Sequence, residues 1–238
     1  MNYKILYRFP LAIIYLIELL FKDFFKFFFK SKNNNLSNKG YEILVNFLSK
    51  NDIKELNNID KVLRSKLVNE NSSGSIRIYN FHREYKLSDN LQKKLYNFAS
   101  EHLNLKFNKI MESQYQVSLP SEELPLGFGW HVDDYDSIIK FFYFPTQVNE
   151  SNGPLRILEG TVRYQNYFQA FKTLVFRRTF IDKYYDESSI KDELLKKEKK
   201  LILKENSLVA IDTSSLHSSS VLEKGERRVM VFSFRSAR

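Results

Sequence analysis

The sequence predicts an α+β protein, a two-sheet β-core buttressed by helices and preceded by an extra apolar helix. Three observations lead there. Two helical stretches, from about Lys50 to Leu67 and from Asp89 to Leu103, fill the first half. From Lys109 onward, short β-rich runs follow at about 110–119, 138–148, 154–158, 201–211 and 228–234, separated by turn residues. A charged, mainly helical segment, 164–200, is inserted between them. Helices followed by closely spaced strands fit a pair of packed sheets with helices against one side.

Each element has a local cause. Residues 9–29 are almost wholly apolar and aromatic, broken by Glu18, Lys22, Asp23 and Lys26. A membrane span needs about 20 uninterrupted apolar residues, so this stretch does not read as one. Nor does Ser31-Lys32-Asn33-Asn34-Asn35 offer a small-residue cleavage site. Two readings stand for residues 1–32: an interfacial helix with its Phe-rich side in a membrane surface, or a helix packed on the core or on a second subunit. Residues 31–39 are polar and Asn-rich, which predicts a linker into the domain at 33–238. Gly40 to Val45 alternates like a strand. Ser49-Lys50-Asn51-Asp52 has the form of a capping box with an acid in the fourth place. Asn71-Ser72-Ser73-Gly74 is a turn before a strand at 75–79. The dense run Lys196-Lys197-Glu198-Lys199-Lys200 reads as a solvated helix end.

Composition narrows the chemistry. The chain has 238 residues, 43% hydrophobic and 27% charged, enough for a packed domain rather than a disordered one. It has no cysteine, which excludes disulfides, zinc–thiolate sites, iron–sulfur clusters and thiol nucleophiles. A metal would therefore rest on imidazole and carboxylate. The four histidines are His82, His102, His131 and His217. The first two sit in polar stretches expected to be exposed, and no role is assigned to them. The formal net charge of +9 follows basic residues spread along the chain, not a nucleic-acid patch.

The pattern that carries chemistry is Trp130-His131-Val132-Asp133, after the turn Gly127-Phe128-Gly129. His and Asp two apart on extended chain project to one side. His217, after the strand-like Ser207–Asp212 and before a Ser-rich turn, is the natural candidate for a third ligand. Two imidazoles and a carboxylate on one face of an octahedron leave three positions open, which suits Fe(II) that must also hold a cosubstrate and dioxygen. Arg228 lies eleven residues past His217 at the head of an apolar strand. A guanidinium there needs an anion, and the distal carboxylate of 2-oxoglutarate would match its fork. Arg227 points the opposite way, both flanking registers are apolar, and periodicity does not choose between them. Taken singly, the His-x-Asp tripeptide, the later His and the arginine pair have ordinary structural explanations. Their joint order does not.

On these residues the chain, from Asn38 to Phe234, resembles the phytanoyl-CoA dioxygenase-like family of Fe(II)/2-oxoglutarate oxygenases. Gly40–Ser49 is similar to that family's opening strand and first helix, Trp130–Asp133 to its metal motif, and Lys140–Val148 to its central strand. Asn152-Gly153-Pro154-Leu155, the most specific single motif, is similar to its turn before the next strand. Glu159 and Thr161-Val162 depart from the family's Pro-Gly-Ser-His element at the pocket mouth, which weakens any substrate analogy. The resemblance implies a double-stranded β-helix (jelly roll), iron on His131, Asp133 and His217, and 2-oxoglutarate anchored by Arg228 rather than Arg227. It implies Ser219 as a hydrogen-bond partner of the cosubstrate. Because Asp133 is kept, it implies hydroxylation of an unactivated C–H bond in a small-molecule or lipid-like substrate, with dioxygen consumed and ascorbate as a supporting reductant, rather than halogenation. A cytoplasmic oxidoreductase, peripheral at a membrane if residues 1–30 meet lipid, is the expectation. The competing expectation is a non-catalytic jelly-roll scaffold at a membrane surface. Asp134 is either a support for the ligands or a turn residue. One of Gln114, Tyr115 and Gln116 should face the cosubstrate.

Overall fold

Two antiparallel sheets face one another. The computed structural model describes residues 9–14, 16–18, 20–21, 34–67, 74–103, 112–121, 128–134, 138–162 and 183–235. The elements are α1 (Asn34–Lys39), β1 (Tyr41–Ile43), α2 (Lys50–Lys66), β2 (Ser75–Tyr79), α3 (Asp89–Leu103), β3 (Glu112–Ser118), β4 (Trp130–His131), β5 (Ile138–Phe144), β6 (Leu155–Leu158), β7 (Tyr184–Tyr185), α4 (Asp192–Leu195), β8 (Glu198–Lys200), β9 (Ser207–Asp212), β10 (His217–Ser219) and β11 (Arg227–Arg235). The larger sheet has the order β1-β9-β5-β11-β3-β2 and the smaller β7-β4-β10-β6-β8. Sequence neighbours β4 and β5, and β10 and β11, lie in different sheets, as a jelly roll requires.

Both faces of the larger sheet are covered, by different partners. Tyr115, Val117, Ile139, Phe141, Tyr143, Met230, Phe232 and Phe234 pack under α2 and α3 through Leu56, Leu63, Leu91 and Leu95. Phe144, Val209, Ile211, Val229 and Val231 face the smaller sheet and meet Leu155 and Ile157. A third cluster, Trp130, Val132, Leu158, Tyr185, Ile190 and Leu216, closes the far side of the smaller sheet. Burial at 20–33 cal/mol per Å² of apolar surface makes these three clusters the main stabilising term.

The capping box at Ser49 is formed: its amide donates to Asp52 at 2.8 Å and its hydroxyl accepts from the Asp52 amide at 3.2 Å. The strand at 75–79 and the helix at 89–103 stand at the expected residues. Three local expectations are corrected. Residues 34–39 of the expected linker form α1, because Leu36 is fully buried in the helix-side core. Gly40 ends that helix, its amide donating to the Leu36 carbonyl at 3.0 Å and its φ at +88°. Glu198–Lys200 is strand β8, not a helix end. It is an exposed edge, paired with β6 and held by an Arg156–Glu198 ion pair at 2.8 Å, and charge on an edge strand removes the apolar alternation that marks buried ones. Ser218 and Ser219 belong to strand β10 rather than to a turn. Residues 164–182 and 22–33 lie outside the described residues.

The apolar segment at 9–21 is helical where described. Ala12 is buried, and Leu16 packs against the far-side cluster of the smaller sheet. Phe9, Leu11, Ile13, Ile14, Ile17, Leu20 and Phe21 are exposed. Among the described residues no helix is long and apolar enough to cross a membrane.

Candidate metal centre

The register of the smaller sheet builds the site. His131 on β4 and His217 on β10 are direct cross-strand partners, so their side chains stand side by side on the face turned toward the larger sheet. Their ring centroids are 4.3 Å apart. Asp133 lies past the end of β4, and its amide donates to the Thr213 carbonyl at 3.0 Å. Its carboxylate comes within 3.6 Å of His217 Nε2. One ligand atom from each of His131, Asp133 and His217 lies within 4.8 Å of the others, and the three could hold a metal ion.

Each imidazole is oriented for that task. His131 Nδ1 is 3.0 Å from the Gly129 carbonyl, and His217 Nδ1 is 2.9 Å from the Ser215 carbonyl. A carbonyl only accepts, so each Nδ1 carries the proton and Nε2 is the nitrogen of each ring that can act as a ligand atom. Burial, and the charge that His217 would carry, push His131 down to about 4, with Asp133 and the Gly129 carbonyl opposing. The ring is therefore neutral and ready to ligate at ordinary pH. Burial would raise Asp133, but the Lys140 ammonium and the two histidines outweigh it and hold the carboxyl well below its usual range. Lys140 Nζ stands 2.8 Å from Asp133 Oδ2, a positive charge already placed against the carboxylate that a metal would share.

A second layer fixes the ligands. His102 at the end of α3 is buried, and its Nε2 meets Asp212 Oδ2 at 3.2 Å. Asp212 Oδ1 accepts from the Ser214 hydroxyl at 2.7 Å and the Ser214 amide at 3.1 Å. This pins the turn whose Thr213 and Ser215 carbonyls anchor Asp133 and His217. Gly40 packs so closely on Ser215 that any Cβ there would collide with its hydroxyl. Thr161 helps too, its Oγ1 accepting from the Leu216 amide at 3.0 Å beside His217. The expectation that His82 and His102 are exposed is thus corrected. His102 reaches a partner 110 residues away, and His82 Nδ1 lies 2.7 Å from the Ser113 hydroxyl.

The arginines divide between the two faces of β11, and it is Arg227, not Arg228, that shares the face turned to the smaller sheet. Arg227 is 6% exposed and faces the smaller sheet with Val229 and Val231. Its Nη1 donates to the Gly153 carbonyl and its Nη2 to Ser118 Oγ at 3.3 Å, while its buried Nε has no hydrogen-bond partner. Burial, and then the charge of Arg77, push Arg227 down to about 10. Arg228 points the other way, under the helices. Its Nη1 pairs with buried Asp60 of α2 at 2.5 Å and its Nε lies 3.3 Å from Glu226. Tyr115 also donates to Asp60, at 2.9 Å. Arg228 lines a depression of about 240 Å³ on that outer face, with Asn57, Asp60 and Asn206, away from the metal ligands. Arg228 therefore does not face the triad, because strand pleating turns it toward an acid already waiting on α2.

Strand β3 turns two of its three candidates inward. Gln114 and Gln116 pair with Val231 and Val229 and share their inward face, whereas Tyr115 pairs with Met230 on the helix side. Ser219, half-buried, lies two residues past His217 on β10 and shares its face. Asp134 is buried next to Asp133. Two inward residues were missed in the sequence. Tyr184 on β7 stacks on His131 at 4.8 Å and 25°, hidden inside a stretch read as helical. Lys140 was legible as the one charge in the apolar run Ile138–Phe144.

No protein-family model matches the chain, and no curated protein matches it. Solved structures do. EctD from S. alaskensis, with 2-oxoglutarate and 5-hydroxyectoine, superposes with a TM-score of 0.63 at 15% identity, covering 84% of this chain and 73% of its own. SnoK, a non-haem alpha-ketoglutarate-dependent carbocyclase from nogalamycin biosynthesis, gives 0.62 at 11% identity, covering 85% and 82%. HygX from Streptomyces hygroscopicus, with nickel and 2-oxoglutarate bound, gives 0.59 at 9% identity, covering 85% of each chain. At such identities the likeness establishes architecture: this chain has the double-stranded β-helix fold of 2-oxoglutarate oxygenases.

Proposed function

We propose that this protein is an Fe(II)- and 2-oxoglutarate-dependent dioxygenase, similar to the phytanoyl-CoA dioxygenase-like enzymes, that hydroxylates an unactivated C–H bond of a small-molecule substrate. The observation that carries the proposal is the convergence of one ligand atom each from His131, Asp133 and His217 within 4.8 Å, with a buried, incompletely partnered Arg227 on the facing sheet. The fold shared with EctD, SnoK and HygX supports it.

In this reading His131, Asp133 and His217 hold the iron. Iron(II), 2-oxoglutarate and dioxygen together supply an oxidant able to take hydrogen from an unreactive C–H bond. The chain supplies placement. Arg227 turns its fork to the distal carboxylate of the cosubstrate, and Ser219 donates its hydroxyl to the same group. Lys140 balances the charge of the Asp133 carboxylate, which would also serve as a metal ligand. Leu155, Ile157, Val229 and Val231 line the space between the sheets and keep water out. Asp133 retains the carboxylate position, which favours oxygenation over halogenation.

The test uses purified protein with Fe(II), ascorbate and labelled 2-oxoglutarate. Bound iron and slow succinate formation without added substrate are expected, both lost in His131→Ala. Wild type that binds neither iron nor 2-oxoglutarate would remove the proposal.

A further inference from the structure

A second guanidinium faces the same interior, and the cosubstrate does not account for it. Arg77 sits in the middle of β2, the edge strand of the larger sheet. Its cross-strand partner is Gln116, whose own partner on β11 is Val229 of the inter-sheet cluster. That register places Arg77 on the inward face. Its Nε is buried and makes no hydrogen bond. The neighbouring polar groups are already satisfied by one another. Gln114 donates to Gln116 Oε1 at 3.1 Å, and Gln116 donates to Ser118 Oγ at 3.0 Å and to Ser75 Oγ at 3.3 Å. All of these are neutral. No described carboxylate pairs with Arg77, and its charge acts unfavourably on Arg227. A half-buried cation that faces another cation, with an unmade bond, is costly unless an anion arrives.

Arg227 answers the one carboxylate of 2-oxoglutarate that would not touch the metal. Arg77 lies two strands away, about 10 Å between backbones at the usual strand spacing, and one inward rung along from the Arg227–Ser118–Ser75 row. A single carboxylate held by Arg227 does not also saturate Arg77. Resting on the oxygenase reading, we propose that Arg77 binds an anionic group of the primary substrate, a carboxylate or a phosphate, so that the substrate is an acid held by its charge while a C–H bond is presented to the metal.

The experiment uses the full chain loaded with Ni(II) and N-oxalylglycine, an unreactive analogue of 2-oxoglutarate, titrated separately with n-butyrate and inorganic phosphate and followed by calorimetry and thermal shift. One of the two anions should bind the loaded wild type, and the stronger binder identifies the group. Arg77→Gln should weaken that binding roughly tenfold or more, as the loss of a charge-assisted contact implies. Arg77→Lys should keep part of it. N-oxalylglycine should bind Arg77→Gln within about twofold of wild type, while Arg227→Gln loses it roughly tenfold or more. Equal loss of N-oxalylglycine in both variants would assign Arg77 to the cosubstrate and overturn the proposal. Anion binding unchanged in Arg77→Gln, or absent from the loaded wild type, would overturn it as well while leaving the oxygenase reading intact. Failure of wild type to bind N-oxalylglycine at all would remove both.

Discussion

The two faces of β11 carry the same chemistry to opposite ends. Arg227 and Arg228 are consecutive, both charged, both largely covered. One is turned toward the sheet that carries the candidate metal ligands, with no carboxylate beside it among the described residues. The other is clamped to Asp60 beneath a helix. The face that holds the fold together satisfies its charges internally. The inner face leaves Arg227 and Arg77 without a described carboxylate, and in the reading proposed above an anionic ligand completes them. A covered cation with no anion beside it points to a ligand more clearly than charge alone.

Substitutions on either face should separate stability from ligand binding. The largest effect belongs to the outer face. Arg228→Ala strands the buried Asp60 carboxylate and should lower stability by about 3 kcal/mol, read by urea unfolding, with 2-oxoglutarate affinity unchanged. Adding Asp60→Asn should restore a good part of that loss. On the inner face, Arg227→Gln should do the reverse. Cosubstrate binding should weaken by about 2 kcal/mol, roughly thirtyfold, the worth of a hydrogen-bonded ion pair, with little change in unfolding midpoint. Behind the ligands, Asp212→Asn or His102→Gln should loosen the Thr213–Ser215 turn and weaken metal affinity by about tenfold, measured with Co(II), whose visible spectrum also reports a changed ligand field. At the periphery, Ser49→Ala removes a helix cap and should cost about 1 kcal/mol without any effect on metal or cosubstrate.

A pH dependence follows from the inner face as well. His131 is held down to about 4 in the folded protein, against about 6.5 for an unfolded histidine. Between those values the unfolded chain binds the extra proton. Stability of the metal-free protein should therefore fall as pH drops from 6.5 toward 4. In His131→Asn that fall should be shallower over the same window, as thermal unfolding would record.

The cluster of His131, Asp133 and His217 was legible in the sequence because its pattern is local: a His-x-Asp on extended chain, and a histidine after an apolar strand. Helices α2 and α3 and strand β2 were legible through caps and periodicity. The face of each arginine was not. Strand β11 is buried on both sides, so alternation gives no contrast between Arg227 with Val229 and Val231 and Arg228 with Met230 and Phe232. Family spacing pointed to Arg228, and the register with β3 and β5 points to Arg227. His102 was hidden for another reason. Its partner Asp212 is distant in sequence, and a histidine among polar helical neighbours gives no sign of burial. Tyr184 was obscured by the charged residues around it, since a two-residue strand has too little length to show a period.

In the reading proposed above, the triad and Arg227 together bind 2-oxoglutarate on a ferrous ion. That binding is tested most directly by anaerobic titration of the Fe(II)-loaded protein with 2-oxoglutarate, following the visible charge-transfer absorption that chelation of a keto acid to ferrous iron produces. Wild type and Arg228→Gln should develop the band over the same concentration range, Arg227→Gln should need roughly thirtyfold more ligand, and His131→Ala should show none. A band that survives Arg227→Gln unchanged and disappears in folded Arg228→Gln would contradict the account.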